Sequence, residues 1–223
     1  MPTIGPFRGI RYNQSKANIK TVVAPPYDVI SPEHQDRLYE IDPHNVVRLI
    51  LGREEDRYSS AAKTFDEWQT NGVLMRDPEP AVYALVQTFT TTTGASIQRK
   101  GFIALCRLEE FERGIVLPHE KTLSKAKEDR FKLFKATNSN FSQIFGLYSD
   151  PAKKVDAFIT PFHAKPVTID VRFENVRNQV WKISDPQAID KIAKEMEPKQ
   201  VLIADGHHRY ETALAYRELM KSK

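Results

Sequence analysis

The run Val201-Leu202-Ile203-Ala204-Asp205-Gly206-His207-His208-Arg209-Tyr210-Glu211-Thr212-Ala213 constrains the fold more than any other stretch of this chain. Its apolar start reads as a short buried strand, the glycine breaks that strand, and the residues after it open a helix. The rest of the pattern is also mixed. Ser31-Pro32-Glu33 supplies an N-cap, a proline at the first helical position and an early carboxylate, so a helix is predicted to about Ile41, stopped by Asp42-Pro43. Tyr58, Ala61, Ala62, Phe65 and Trp68 recur at helical spacing up to Asn71-Gly72, with the large side chains on a core stripe.

Strand-forming sequence follows. Ala81 to Thr88 and Ile97 to Leu108 read as strands around a Thr-rich hairpin loop ending at Gly94. Lys125 to Ala136 reads as an amphipathic helix, and short strands are predicted at residues 144–148, 167–173 and 179–183. Asp185-Pro186 opens a helix with Ile189, Ile192, Ala193 and Met196 at i, i+3, i+4 and i+7. The order predicts an α+β fold, a mixed sheet with flanking helices. Asp77-Pro78-Glu79-Pro80 marks the weakest boundary, dividing an N-terminal helical part, 1–78, from a sheet-containing part, 79–223.

Composition excludes several classes. Hydrophobic residues make up 40% and charged residues 28% of 223, ordinary globular usage. No apolar run approaches the roughly 20 residues that cross a bilayer, and the N-terminus lacks the pattern of a secretory signal. The one cysteine, Cys106, fits a reducing cytoplasm and reads as a small buried side chain. Lys+Arg 33 against Asp+Glu 29 leaves a net charge of +4, too mild to suggest a nucleic-acid partner.

Chemistry concentrates at the last strand–helix junction. The first turn of a helix leaves backbone N–H groups without partners and carries the positive end of the dipole. Gly206 lets a ligand approach the backbone, so Gly206, His207, His208 and Arg209 form a candidate phosphate cradle. A cation in the first turn opposes the dipole by about 0.3–1 kcal/mol, and a bound anion would remove that conflict for Arg209. Asp205 repels phosphate unless it binds Mg²⁺ or orients an imidazole. The plainer alternative has Asp205 capping the helix.

A second constellation is Leu117-Pro118-His119-Glu120-Lys121-Thr122, with Lys125, Lys127, Asp129 and Arg130 downstream. A carboxylate beside a histidine suits a general base that takes a proton from a hydroxyl, and Lys127 and Arg130 add charge against phosphates. The alternative is a solvated loop and helix start. His119-Glu120 begins like the zinc-protease motif, but Leu123 stands where the second histidine belongs. A metal site from His119, Glu120, His207 and His208 stays open. Pro25-Pro26-Tyr27-Asp28 is a rigid loop that either presents Tyr27 or Asp28 to a ligand or packs Tyr27 in a turn capped by Asp28. His34, His44 and His163 read as surface residues.

The sequence resembles a widespread prokaryotic family, the domain-of-unknown-function 1015 family. The resemblance is carried by Ile203 to Ala213, Ala24 to Ile30, Trp68…Gly72-Val73-Leu74, Leu117 to Thr122, Lys127 to Arg130 and Ile144 to Tyr148, which together span nearly the whole chain. More distantly, Asp205 to Arg209 is similar to the ParB/sulfiredoxin-like superfamily, whose glycine-rich turn and following basic residue hold nucleotide phosphates. That resemblance implies a ParB/sulfiredoxin-like core around the C-terminal strand–turn–helix. His207 stands where sulfiredoxin has its reactive cysteine, so sulfinic-acid repair is not implied. Family members generally continue past this motif, which implies that a chain stopping at Lys221-Ser222-Lys223 is a shortened form.

By resemblance to the free-serine kinases, Glu120 is the candidate general base. The expected function is an ATP- or ADP-dependent phosphotransferase acting on a small hydroxyl compound, with free serine the suggested acceptor. Glu120, His119 and Asp205 are the catalytic candidates and Asp205 the Mg²⁺ ligand. Two alternatives accompany it: a ParB-like nucleotide- or DNA-associated binding module, and a metal-dependent hydrolase.

Overall fold

The computed structural model describes residues 1–120 and 124–222, with only the backbone of residues 124–126. Lys121, Thr122, Leu123, the Lys125 side chain and Lys223 lie outside the described residues. The helices are α1 (Ile19–Val22), α2 (Pro32–Ile41), α3 (Val47–Ile50), α4 (Arg57–Thr70), α5 (Ser124–Thr137), α6 (Lys154–Ile159), α7 (Pro186–Met196) and α8 (His207–Lys221). The strands are β1 (Ile4–Gly5), β2 (Ile10–Tyr12), β3 (Leu74–Arg76), β4 (Val82–Thr90), β5 (Ser96–Ile103), β6 (Leu105–Cys106), β7 (Val116–Leu117), β8 (Phe145–Leu147), β9 (Ile169–Phe173), β10 (Val176–Ile183) and β11 (Val201–Asp205). The fold is α+β. Among the described residues the strands make four small sheets, of orders β1-β6, β5-β4-β10-β9, β7-β11-β8 and β2-β3.

Local chemistry sets the helix starts. Ser31 accepts from the His34 N–H at 3.2 Å, with Pro32 at the first helical position. Asp56 accepts from the Ser59 N–H at 3.2 Å. Asp185 accepts from the N–H groups of Gln187 and Ala188 at 2.9 and 3.4 Å. Each cap satisfies orphan donors that would otherwise cost about 0.5–2 kcal/mol.

The chain divides into two compact units. The first comprises Met1–Gly9, Asp77–Leu117 and Leu147–Leu202; the second comprises Ile10–Arg76, Pro118–Gly146 and Ile203–Lys223. In the first, the β4–β5 hairpin closes at Thr90↔Ser96, and β4 pairs antiparallel with β10 from Val82↔Ile183 to Phe89↔Val176. Ala84, Val86, Trp181 and Ile183 from these strands pack with Val155 and Ile159 of α6 and Ala188, Ile192 and Met196 of α7. Full burial contributes about 1.5–3 kcal/mol for each larger aliphatic side chain. The edge strand β5 exposes Arg99 and Lys100, charges that discourage further strand pairing.

In the second unit, Phe65 and Trp68 of α4 pack with Val22, Leu49, Ile50, Val73 and Leu74. Tyr58 departs from the predicted core stripe: it is half-buried and its hydroxyl donates to Asp129 at 2.8 Å. The predicted surface histidines His34, His44 and His163 are half-buried instead, and two of them lie against aromatic rings. The His44 ring lies 5.6 Å from that of Trp68, and in the first unit His163 lies 4.7 Å from Trp181. Cys106 ends a two-residue strand and is only half-buried, though burial raises its thiol pKa.

Candidate functional site

His119, Glu120, Lys127, Asp129 and Arg130 of one predicted constellation and Asp205 to Arg209 of the other all belong to the second unit. Strand β11 ends at Asp205, Gly206 turns the chain at φ +95°, and α8 begins at His207. That φ is left-handed, a conformation glycine adopts without the Cβ penalty. Asp205 does not cap the helix; no side chain does.

The first-turn cation is neutralised from within. The Arg209 Nη2 donates to Asp205 Oδ2 at 2.6 Å, and its Nη1 donates to Ser142 Oγ at 2.7 Å and to the Gln143 carbonyl. A Cβ built on Gly206 would meet the Arg209 Cζ and Nε at 2.9 Å. The space left by the missing side chain is therefore filled by the guanidinium. Asp205 remains 65% exposed despite this pair, so its carboxylate still faces water. His208 is half-buried in the same turn.

His207 points the other way and is 1% exposed. Its Nε2 accepts the backbone N–H of His119 at 3.2 Å. An accepting ring nitrogen carries no proton, so the neutral ring holds its proton on Nδ1. Glu120 Oε1 lies 2.9 Å from that Nδ1. The oxygen sits off the ring N–H direction, so Nδ1 makes no hydrogen bond to it. The contact is therefore an electrostatic pairing. Glu120 is 52% exposed, so a buried imidazole backs a carboxylate that faces solvent.

His119 completes the group. Its ring sits edge-on to that of His207, with centroids 4.5 Å apart. Its Nδ1 lies 2.7 Å from the Ile203 carbonyl, which can only accept, so Nδ1 donates and Nε2 keeps its lone pair. Among the described residues, one ligand atom each from His119, Glu120 and His207 lies within 4.8 Å of the others. The donor set is that of a transition-metal site. A metal on His207 Nδ1 would displace the proton that the His119 N–H contact fixes there, and that hydrogen bond would have to give way.

Lys127 and Arg130 are placed differently. Lys127 Nζ pairs with Glu211 Oε2 at 2.7 Å. Arg130 is largely buried: its Nε donates to Asp129 Oδ2 at 2.8 Å, its Nη2 to the Ile50 carbonyl at 3.0 Å, and its guanidinium lies 3.7 Å from the Tyr27 ring centroid. Burial works against ionising Asp129, yet Arg130, Tyr58 and Arg57 together hold its carboxyl below the ordinary aspartate value. Tyr27 sits in a short 3-10 turn, Tyr27–Val29; burial raises its hydroxyl pKa against the opposing pull of Arg130. Asp28 is exposed and caps nothing.

Arg130 and Arg209 both line one cavity of about 240 Å³, together with Tyr27 and the Ser139–Gln143 loop. Sequence reasoning passed over that loop. Asn140, Ser142 and Gln143 are neutral and obey no spacing rule, and only the fold shows that Ser142 and the Gln143 carbonyl meet an arginine from α8.

The chain belongs to the family described as "Protein of unknown function (DUF1015)", whose model matches residues 4–223. No curated protein and no solved structure matches it significantly. Among the described residues no helix is long and apolar enough to cross a membrane.

Proposed function

We propose that this chain is a nucleotide-dependent phosphotransferase acting on a small hydroxyl compound, with free serine the first acceptor to try. The observation that carries the reading is the solvent-facing Glu120 carboxylate, 2.9 Å from the Nδ1 of a buried His207 that also holds the His119 backbone. A general base needs a carboxylate open to substrate, and the polar Nδ1 edge of His207 draws this one close by electrostatics. Glu120 takes the acceptor's hydroxyl proton as the acceptor oxygen bonds to the donor's terminal phosphorus. The bond to the bridging oxygen breaks, and the shortened nucleotide leaves with the electron pair. Such transfer depends on positioning and charge more than on covalent help from the protein.

Arg209 supplies the charge. An entering phosphate replaces Asp205 on its guanidinium, one anion for another. Asp205, exposed and anionic, is the residue that would hold a Mg²⁺, which neutralises phosphate oxygens when bound. A thermal-shift series with ADP, ATP, CTP and pyrophosphate, with and without Mg²⁺, tests the binding; ligand at about 100 times its Kd adds about 2.7 kcal/mol. Radiolabelled nucleotide and an amino-acid panel then test transfer. The absence of any shift would overturn the reading.

A second reading, a metal-dependent hydrolase, is favoured by the convergence of His119, Glu120 and His207. Metal analysis of the purified protein separates the two, since stoichiometric zinc would promote the hydrolase. The His207 tautomer argues against it, because Nδ1 keeps its proton as long as Nε2 accepts from the His119 backbone.

A further inference from the structure

The cavity of about 240 Å³ in the second unit is the volume of roughly eight liquid water molecules, at about 30 Å³ each. That is below the roughly 300 Å³ at which pockets for drug-sized ligands begin, and too small for a whole nucleotide. Its walls are of two kinds. Val46, Ile50, Leu133, Phe134 and Phe141 are apolar, and Arg130 and Arg209 bring two guanidiniums from different helices. Like charges converge on a small apolar space only at a cost.

Each arginine is partly neutralised by a carboxylate, Arg130 by Asp129 and Arg209 by Asp205. Neither is saturated. A guanidinium has five N–H donors; Arg130 commits Nε and Nη2, and among the described residues no acceptor takes Nη1. Tyr27 adds a hydroxyl and an aromatic face, on which Arg130 is stacked.

We propose that this cavity binds a small organic anion. A single carboxylate or phosphate head lies between Arg130 and Arg209, and a compact apolar body, about the size of a benzene ring, lies against Phe134 and Phe141. Both heads share the chemistry the site reads: a planar fork of donors meeting two or more anionic oxygens. The apolar walls strengthen that charge contact and reject small hydrated ions, which would leave the walls uncovered. The assignment shares Arg209 with the phosphotransferase reading but needs neither Glu120 nor His119, which do not line the cavity.

Titration calorimetry of the full chain with benzoate, phenyl phosphate, benzyl alcohol and inorganic phosphate tests it. Benzoate or phenyl phosphate should saturate at least tenfold more tightly than both benzyl alcohol and inorganic phosphate. The ratio between the first two identifies the head group. Arg130→Met should weaken the anions at least tenfold and leave benzyl alcohol unchanged. Because Arg130 also supports Asp129, a second variant guards against misfolding: Ala24→Leu fills the cavity and keeps both arginines. It should abolish binding of both organic anions while the far-UV circular dichroism stays that of the parent. The proposal is overturned if no probe saturates at millimolar concentration, if benzyl alcohol or inorganic phosphate binds as well as the organic anions, or if Ala24→Leu binds like the parent. Nucleotide-induced thermal shifts of Ala24→Leu, which keeps Arg209, report on the phosphotransferase apart from the cavity.

Discussion

Glu109 in the first unit and His207 in the second are both buried polar side chains, and the two are treated in opposite ways. In the first, Glu109 is 2% exposed, with one oxygen accepting from Arg107 Nε at 2.5 Å and the other from Arg113 Nη1 at 2.6 Å. The hydrogen bond from Arg107 does most to hold its carboxyl below the usual glutamate value, and nearby positive charge adds to it. The group is closed: both lone-pair faces are used by neighbours within four residues. In the second, buried His207 spends Nε2 on a backbone 88 residues away in sequence and turns Nδ1 toward an exposed carboxylate. A buried polar group that stiffens a fold is satisfied inward, and one that serves chemistry turns a polar edge toward a residue facing water.

The largest effect that can break this comparison belongs to Glu120. Glu120→Ala should lower transfer by about 10²–10⁴-fold, the usual contribution of a general base. As an exposed position it should change stability by no more than about 0.5 kcal/mol. Nucleotide-induced thermal shifts should persist, and equal turnover would remove Glu120 from the mechanism. Glu109→Ala should do the reverse, lowering the melting temperature by several degrees and leaving turnover per folded molecule unchanged. Loss of turnover there would erase the distinction between the units.

How far these roles could be read from sequence depends on how local their causes are. Helices α2, α4 and α7 announce themselves because Ser31, Asn71-Gly72 and Asp185-Pro186 act within a few residues of the ends they set. The β4–β5 hairpin is equally local. The pairing of β2 with β3 is not: Ile10–Tyr12 meets Leu74–Arg76 through three residues each, with no turn between them to mark it. At the site, the junction from Val201 to Arg209 is legible because strand, glycine and helix are contiguous. The charge conflict at Arg209 is legible too, but its relief comes from Asp205, Ser142 and the Gln143 carbonyl. The proximity of His119 and Glu120 to His207 depends on tertiary packing, which spacing does not encode.

Asp129 sharpens the comparison from another side, because its three partners make it a closed group inside the second unit. Asp129→Asn keeps the shape and removes the charge that Arg57, Tyr58 and Arg130 share. A loss of about 2 kcal/mol is expected at pH 7, in the range for hydrogen bonds to charged groups. The folded carboxyl titrates below its unfolded value, so its stabilisation is complete above the ordinary aspartate pKa of about 3.9 and is lost as pH falls through the folded one. Urea unfolding at descending pH should therefore show parent and variant converging below about pH 4. A gap that stays constant to pH 2 would mean that the charge is not what Asp129 contributes.

The smallest effect is expected at Gly206, where backbone and charge meet. Alanine there must adopt φ +95°, and its Cβ would lie 2.9 Å from the Arg209 guanidinium. The left-handed backbone costs about 1–2 kcal/mol. The contact itself costs little, since it falls on the end of a flexible side chain that can swing away. Swinging away separates Arg209 from Asp205, however, and leaves a cation in the first turn of α8 without its counter-ion. Gly206→Ala should thus lower stability by about 1–2 kcal/mol and make the protein more sensitive to added phosphate, which can replace the lost carboxylate. If Gly206→Ala is as stable as the parent and indifferent to phosphate, Arg209 does not rest against Gly206, and the internal neutralisation of the helix start is wrong.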